Sequence, residues 1–115
     1  MVMSAEPPIT GDDLLRVLAT LANPHRLRVV AALARERAYV SRLARELGIS
    51  RALLQVHLRK LTAAGLVTAR LELSEDGRAM KYYEVNPFVF TLTPGIIMRA
   101  AETLTPPEGP GKERG

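Results

Sequence analysis

"GISRALLQVHLRKLTAAGLV", residues 48–67, is the stretch from which the rest of the chain is read. On a helical wheel advancing by about 100° per residue, Leu54, Leu58 and Leu61 share one stripe, with His57 at its border. Arg51, Ala52, Gln55, Val56, Arg59 and Lys60 fall on the opposite side. That outer side mixes small residues with long hydrogen-bond donors and carries no acid. A solvated helix face ordinarily mixes both charge signs, so this one is suited to something negative.

Upstream, "YVSRLARELGIS" predicts a short helix over residues 41–47, with Leu43, Ala44 and Leu47 inward and Gly48 supplying a tight turn. Ser50 caps the helix that follows, which is expected to end at Gly65. Two helices meeting at a glycine, with small Ala44 where they cross closely, form a helix-turn-helix. Downstream, "LVTARLELSEDGRAMKYYEV" alternates β-favouring residues around Asp76-Gly77, a strong hairpin signal. A hairpin directly after such a helix is a wing. Tyr82 and Tyr83 are consecutive in its second strand, so alternation sends one to the core and the other to solvent.

The flanks are helical. Thr10 and Asp13 open a helix over about residues 11–22 that carries Leu14, Leu15, Leu18 and Leu21. Asn23 and Pro24 cap and start a second, whose buried stripe is expected to be Leu27, Val30, Ala31 and Leu33. Thr93 and Pro94 start the last, over about residues 94–104, with Ile96, Ile97, Ala100, Ala101 and Leu104. The expected fold class is mainly α, an α+β winged helix. Residues 10–105 are expected to form one domain between disordered tails at 1–9 and 106–115, where proline, glycine and charge dominate.

Composition narrows the function. The chain has 115 residues and no cysteine, which excludes disulfides and thiolate metal sites. Its start, "MVMSAEPPITGDD", has neither a basic region nor a long apolar run, so a cytoplasmic protein with no membrane association is expected. Between Pro24 and Arg70 stand ten basic residues and only two acids, Glu36 and Glu46. A basic middle suits a polyanion. No nucleophile–base pair, phosphate loop or metal cluster appears, so no enzyme and no cofactor are expected. His25 has no second ligand nearby in sequence, and His57 is read as a packing and hydrogen-bonding residue.

The segments 21–33, 41–67 and 74–87 together resemble the ArsR-type winged-helix transcriptional regulators, over roughly 70 residues in matching order and spacing. The resemblance implies a small dimeric repressor that lays one recognition helix per subunit in the major groove, with its first and last helices forming the dimer interface. It does not extend to metal sensing. The family's thiolate pair is replaced by Tyr39 and Ser41, and the last helix holds no histidine and one acid, Glu102. Ala52, Leu53 and Val56 also stand where many relatives have Ser, Thr or His.

Read residue by residue, Arg59 is placed to grip a guanine, Gln55 an adenine, and Ala52 or Val56 a thymine methyl. Arg51, Lys60, Arg42 and Arg45 are assigned to phosphates, and Arg78 and Lys81 of the wing to phosphates or a minor groove. Leu14, Leu15, Leu18, Ile96, Ile97 and Leu104 exceed what one short bundle covers and are assigned to a two-fold dimer. The expected partners are an inverted-repeat site in double-stranded DNA and a second copy of the chain. An effector, where one acts, is expected to be a small molecule or a protein. The alternatives are a protein-interaction module, suited by Leu53 and Val56, and an RNA-binding winged helix.

Overall fold

The computed structural model describes residues 9–106. The tails expected at 1–9 and 106–115 therefore lie, Ile9 and Pro106 apart, outside the described residues. Two compact units are present among the described residues: 17–89, and 9–16 with 90–106. Helix α1 (Gly11–Leu21) gives its first turns to one unit and its last to the other.

The larger unit holds α2 (Pro24–Arg35), β1 (Ala38–Tyr39), α3 (Val40–Leu47), α4 (Arg51–Ala63), β2 (Val67–Leu73) and β3 (Ala79–Val85). α2 and α4 start at side-chain caps, whereas Tyr39 before α3 makes no capping bond. The Asn23 side chain accepts from the backbone N–H of His25 and Arg26, and the Ser50 hydroxyl accepts from Leu53 N–H. Between α3 and α4, Gly48 sits at φ 70, ψ 30. There its own N–H reaches Arg45 O and Ile49 N–H reaches Ala44 O. These paired bonds close α3 and turn the chain straight into α4.

The core gathers Val29, Leu33, Leu43, Leu54, Leu58, Leu61, Leu66, Val67 and Tyr83 around the crossing of α2, α3 and α4. The α4 stripe is the one expected, and His57 at its border is buried with it, 5% of its surface exposed. α2 differs more. Val29, Ala32 and Leu33 are buried, while Leu27 and Ala31, expected in the stripe, are exposed and Val30 is half-buried. α2 is apolar on too wide an arc for its pattern to select one side. Packing against α3, α4 and β3 makes the choice.

The hairpin β2–β3 pairs Val67 with Val85 through Leu73 with Ala79, and Gly77 takes a left-handed φ of 85 in the Glu75–Gly77 loop. A third strand, β1, pairs Ala38 with Tyr83 and Tyr39 with Tyr82, giving the order β1-β3-β2. Sequence reasoning misses it because a two-residue strand carries no periodicity. This strand also corrects the expectation for the tyrosines, since both are buried. Tyr83 joins the core, while Tyr82 is covered from the other side by the Tyr39 ring at 6.0 Å and the Arg37 guanidinium at 4.1 Å.

In the smaller unit, α5 (Pro94–Ala101) ends three residues before the expected 104, its N-terminus capped by the Thr93 hydroxyl accepting from Ile96 N–H. The chain after α5 folds onto the start of α1. Gly11 N–H donates to the Thr103 hydroxyl at 2.7 Å, and Asp12 accepts from the Thr105 backbone N–H and hydroxyl. A Cβ on Gly11 would stand 2.2 Å from Ala100 O, so only glycine permits this approach.

Candidate nucleic-acid interface

α4 is held on three sides and open on the fourth. α2 and α3 pack behind it, and β2 follows it after a short turn. Asn86, at the far end of the hairpin, donates its backbone N–H to Leu66 O at 3.0 Å and its side-chain amide to Gly65 O at 2.8 Å. These bonds fix the base of the wing to the end of α4.

Arg51, Ala52, Val56, Arg59 and Lys60 are exposed on the open face, as the wheel predicts, and Gln55 is half-buried. Charge pairing separates these cations from most others. Arg35 meets Glu46, Arg37 meets Glu72, Arg42 meets Glu36, Arg70 meets Glu84 and Arg78 meets Asp76. Among the described residues no acid pairs with Arg51, Arg59, Lys60 or Arg45. These positive charges are therefore uncompensated among the described residues.

The other assigned contacts are more encumbered. Arg42 donates to both oxygens of Glu36, at 3.2 and 3.3 Å, and that hydrogen bonding with the adjacent charge holds Glu36 below the usual carboxylate range. Both partners are half exposed or more, so this surface ion pair contributes little to stability. At the wing tip Asp76 accepts from the Ser74 hydroxyl and the Arg78 backbone N–H, which lowers its pKa and keeps an anion beside Arg78. The Lys81 ammonium stands 5.8 Å from the Tyr83 ring centroid. Leu53 and Val56 are exposed apolar residues beside the cations, 39% and 38% accessible.

Behind the face lies a polar contact that periodicity does not reveal. Arg26 Nε donates to His57 Nδ1 at 3.2 Å, and Arg26 Nη1 donates to the Thr20 carbonyl at 3.0 Å. One guanidinium thus joins α4 to the last turn of α1. Leu14, by contrast, is already buried within its own chain, whereas Leu15, Leu18, Ile97 and Leu104 are exposed and Ile96 is half-buried.

A helix-turn-helix domain family model matches residues 21–70, the span from the end of α1 into β2. An HTH-type transcriptional regulator of Methanocaldococcus jannaschii is 34% identical over 90 residues, which cover 78% of this chain and 94% of that protein. The homodimeric winged helix-turn-helix DNA-binding domain of a possible ArsR-family regulator from Mycobacterium bovis superposes with a TM-score of 0.58. Its identity is 26%, over 79% of this chain and 74% of that one. This chain belongs to the ArsR-type winged helix-turn-helix transcriptional regulators. The fold of this ArsR-type regulator is shared with NolR from Sinorhizobium fredii, at TM-score 0.57 and 24% identity over 84% of this chain and 92% of that one. In the regulator's own terms α3 and α4 are its helix-turn-helix and β2–β3 its wing. No helix among the described residues is long and apolar enough to cross a membrane.

Proposed function

We propose that this ArsR-type regulator is a sequence-specific repressor that binds an inverted-repeat operator as a homodimer and works without a metal. The observation that carries the reading is the open face of α4, where Arg51, Arg59 and Lys60 have no acid partner among the described residues. Arg59 and Gln55 take base edges, Ala52 and Val56 take thymine methyls, and Arg51, Lys60, Arg45 and Arg42 hold phosphates. Arg78 and Lys81 carry the wing contact. Leu15, Leu18, Ile97 and Leu104, exposed in the single chain, with half-buried Ile96, form the apolar surface for a second copy. Leu14 supports that surface from beneath. The Mycobacterium bovis relative is homodimeric, which favours the same arrangement here. Metal independence follows from a chain with no cysteine and two histidines, because transition metals require several converging thiolate or imidazole ligands. An effector, if the regulator has one, is then a small molecule or a protein.

Selection of bound sequences from random duplex DNA tests this reading, followed by affinity measurements across salt concentration. DNA binding predicts an enriched inverted repeat and a logarithmic affinity that falls linearly with the logarithm of salt. A second reading, a protein-docking role for the same face, is favoured by exposed Leu53 and Val56. It predicts no enriched sequence and binding that salt barely weakens. RNA binding would appear as preference for structured RNA over duplex DNA in competition.

A further inference from the structure

His57 is a buried histidine that the DNA-reading face does not use. Its Nδ1 accepts the Arg26 Nε–H, so the ring proton resides on Nε2. That atom is buried without a hydrogen-bond partner. Arg26 is itself committed, since its Nη1 donates to the Thr20 carbonyl at 3.0 Å. The chain of contacts therefore runs from the last turn of α1, through Arg26 of α2, to the middle of α4. It meets α4 at His57, which adjoins Val56 and stands two residues from both Gln55 and Arg59.

We propose that Arg26 positions the DNA-reading helix through His57, and that protonation of His57 at Nδ1 releases the helix, so that mild acid weakens operator binding. The geometry supplies the switch. A proton on Nδ1 turns the acceptor into a donor, removes the hydrogen bond, and sets an imidazolium 3.2 Å from a guanidinium nitrogen. The charged and titratable groups that bear on His57 are Arg26 and His25 of α2 and Lys60 of α4, with the His25 ring centroid 5.4 Å away. From α1, the Thr20 carbonyl accepts from Arg26 Nη1. Every one of these charges is or can become positive. Burial first, then Arg26, His25 and Lys60, hold His57 below the usual histidine value. The pair is thus intact near neutrality, and the proton is taken up when the helix loosens.

The inference rests on α4 being the DNA-reading helix, and its sign separates it from ordinary electrostatics. Acidification adds positive charge, which by itself strengthens attraction to DNA. The release predicts the reverse. Affinity of the full chain for the duplex recovered by selection is measured at constant ionic strength from about pH 7.5 to about pH 5.5. Wild type should weaken progressively as the pH falls below the ordinary histidine value of about 6.5. His57→Asn places a non-titrating oxygen near the Nδ1 position and should show no fall on acidification. Arg26→Ala, at a half-buried side chain, should weaken binding at about pH 7.5 and leave little further dependence. Tightening of wild type in parallel with both variants overturns the proposal. Histidine nitrogen NMR on the full chain provides an arm independent of DNA. His57 should be the Nε2–H tautomer near neutrality, and its titration should speed amide exchange in α4 and the last turn of α1 together. A protonated Nδ1 near neutrality, or a titration confined to the His57 ring, overturns the proposal even if no duplex is bound.

Discussion

At the level of single residues, the face and the core of α4 separate cleanly. Arg59→Ala or Gln55→Ala should each cost about 1–3 kcal/mol of binding at the selected site if each touches a base edge. Neither change should move the melting temperature appreciably, because Arg59 is exposed and Gln55 only half-buried. Leu58→Ala should instead destabilise the protein by about 2–5 kcal/mol, since Leu58 is fully buried. Calorimetry and DNA titration on the same three variants separate the roles. Equal affinity for wild type and both face variants would falsify the assignment of the reading face. His57 sets a stability trend as well. Its folded pKa lies below its unfolded value of about 6.5, so the folded state binds fewer protons between the two. Stability is full above that unfolded value and declines as pH falls below it. The melting temperature of wild type should therefore drop more between pH 7 and pH 5 than that of His57→Asn.

Glycines set the geometry of two elements. Gly48 has open space where a Cβ would stand, so Gly48→Ala meets only the backbone cost of φ 70. That cost is about 1–2 kcal/mol, and Gly48→Asn should cost less because asparagine tolerates the left-handed region better. Gly11 is the opposite case. Its backbone conformation is helical, but an added Cβ collides with Ala100 O and Leu104 Cγ. Gly11→Ala should destabilise the smaller unit by about 1–3 kcal/mol through overpacking. If Leu15, Ile97 and Leu104 form the dimer surface, it should also weaken self-association. Thermal melts and concentration-dependent light scattering read the two effects. Equal loss at Gly48→Ala and Gly48→Asn would place the cost outside the backbone.

On the scale of the whole molecule, the proposed dimer sets two copies of α4 about 34–36 Å apart, one turn of B-DNA. Light scattering at micromolar concentration should give twice 12.6 kDa, and the selected site should be an inverted repeat. A monomer with a non-repeating site removes the two-fold arrangement. Operator affinity should be the same in chelator as in micromolar zinc, nickel or copper. A saturable, stoichiometric metal effect would assign His25 or His57 a ligand role instead. Their ring centroids lie 5.4 Å apart, yet among the described residues no third histidine, cysteine or carboxylate joins them.

What the sequence determined by itself was local: where helices start, where the chain turns, and which side of α4 is apolar. Ser50, Asn23 and Thr93 cap because their side-chain oxygens satisfy N–H groups two or three residues on, which depends on no distant contact. Gly48 and Gly77 turn because they tolerate positive φ. The exposed cations of α4 were legible for the same reason, as opposite sides of one short period. The tertiary structure decided everything that depends on a neighbour from elsewhere in the chain. β1 is too short to announce itself, yet its pairing with β3 brings Tyr39 and Arg37 over Tyr82 and buries both tyrosines. α2 is apolar on too many sides for its sequence to choose Val29 over Leu27. His57 is buried, and Arg26 becomes its partner, only because α2 packs on α4 across 31 residues of chain. Caps and turns are set by neighbours in sequence, whereas burial and long-range pairing are set by which elements meet.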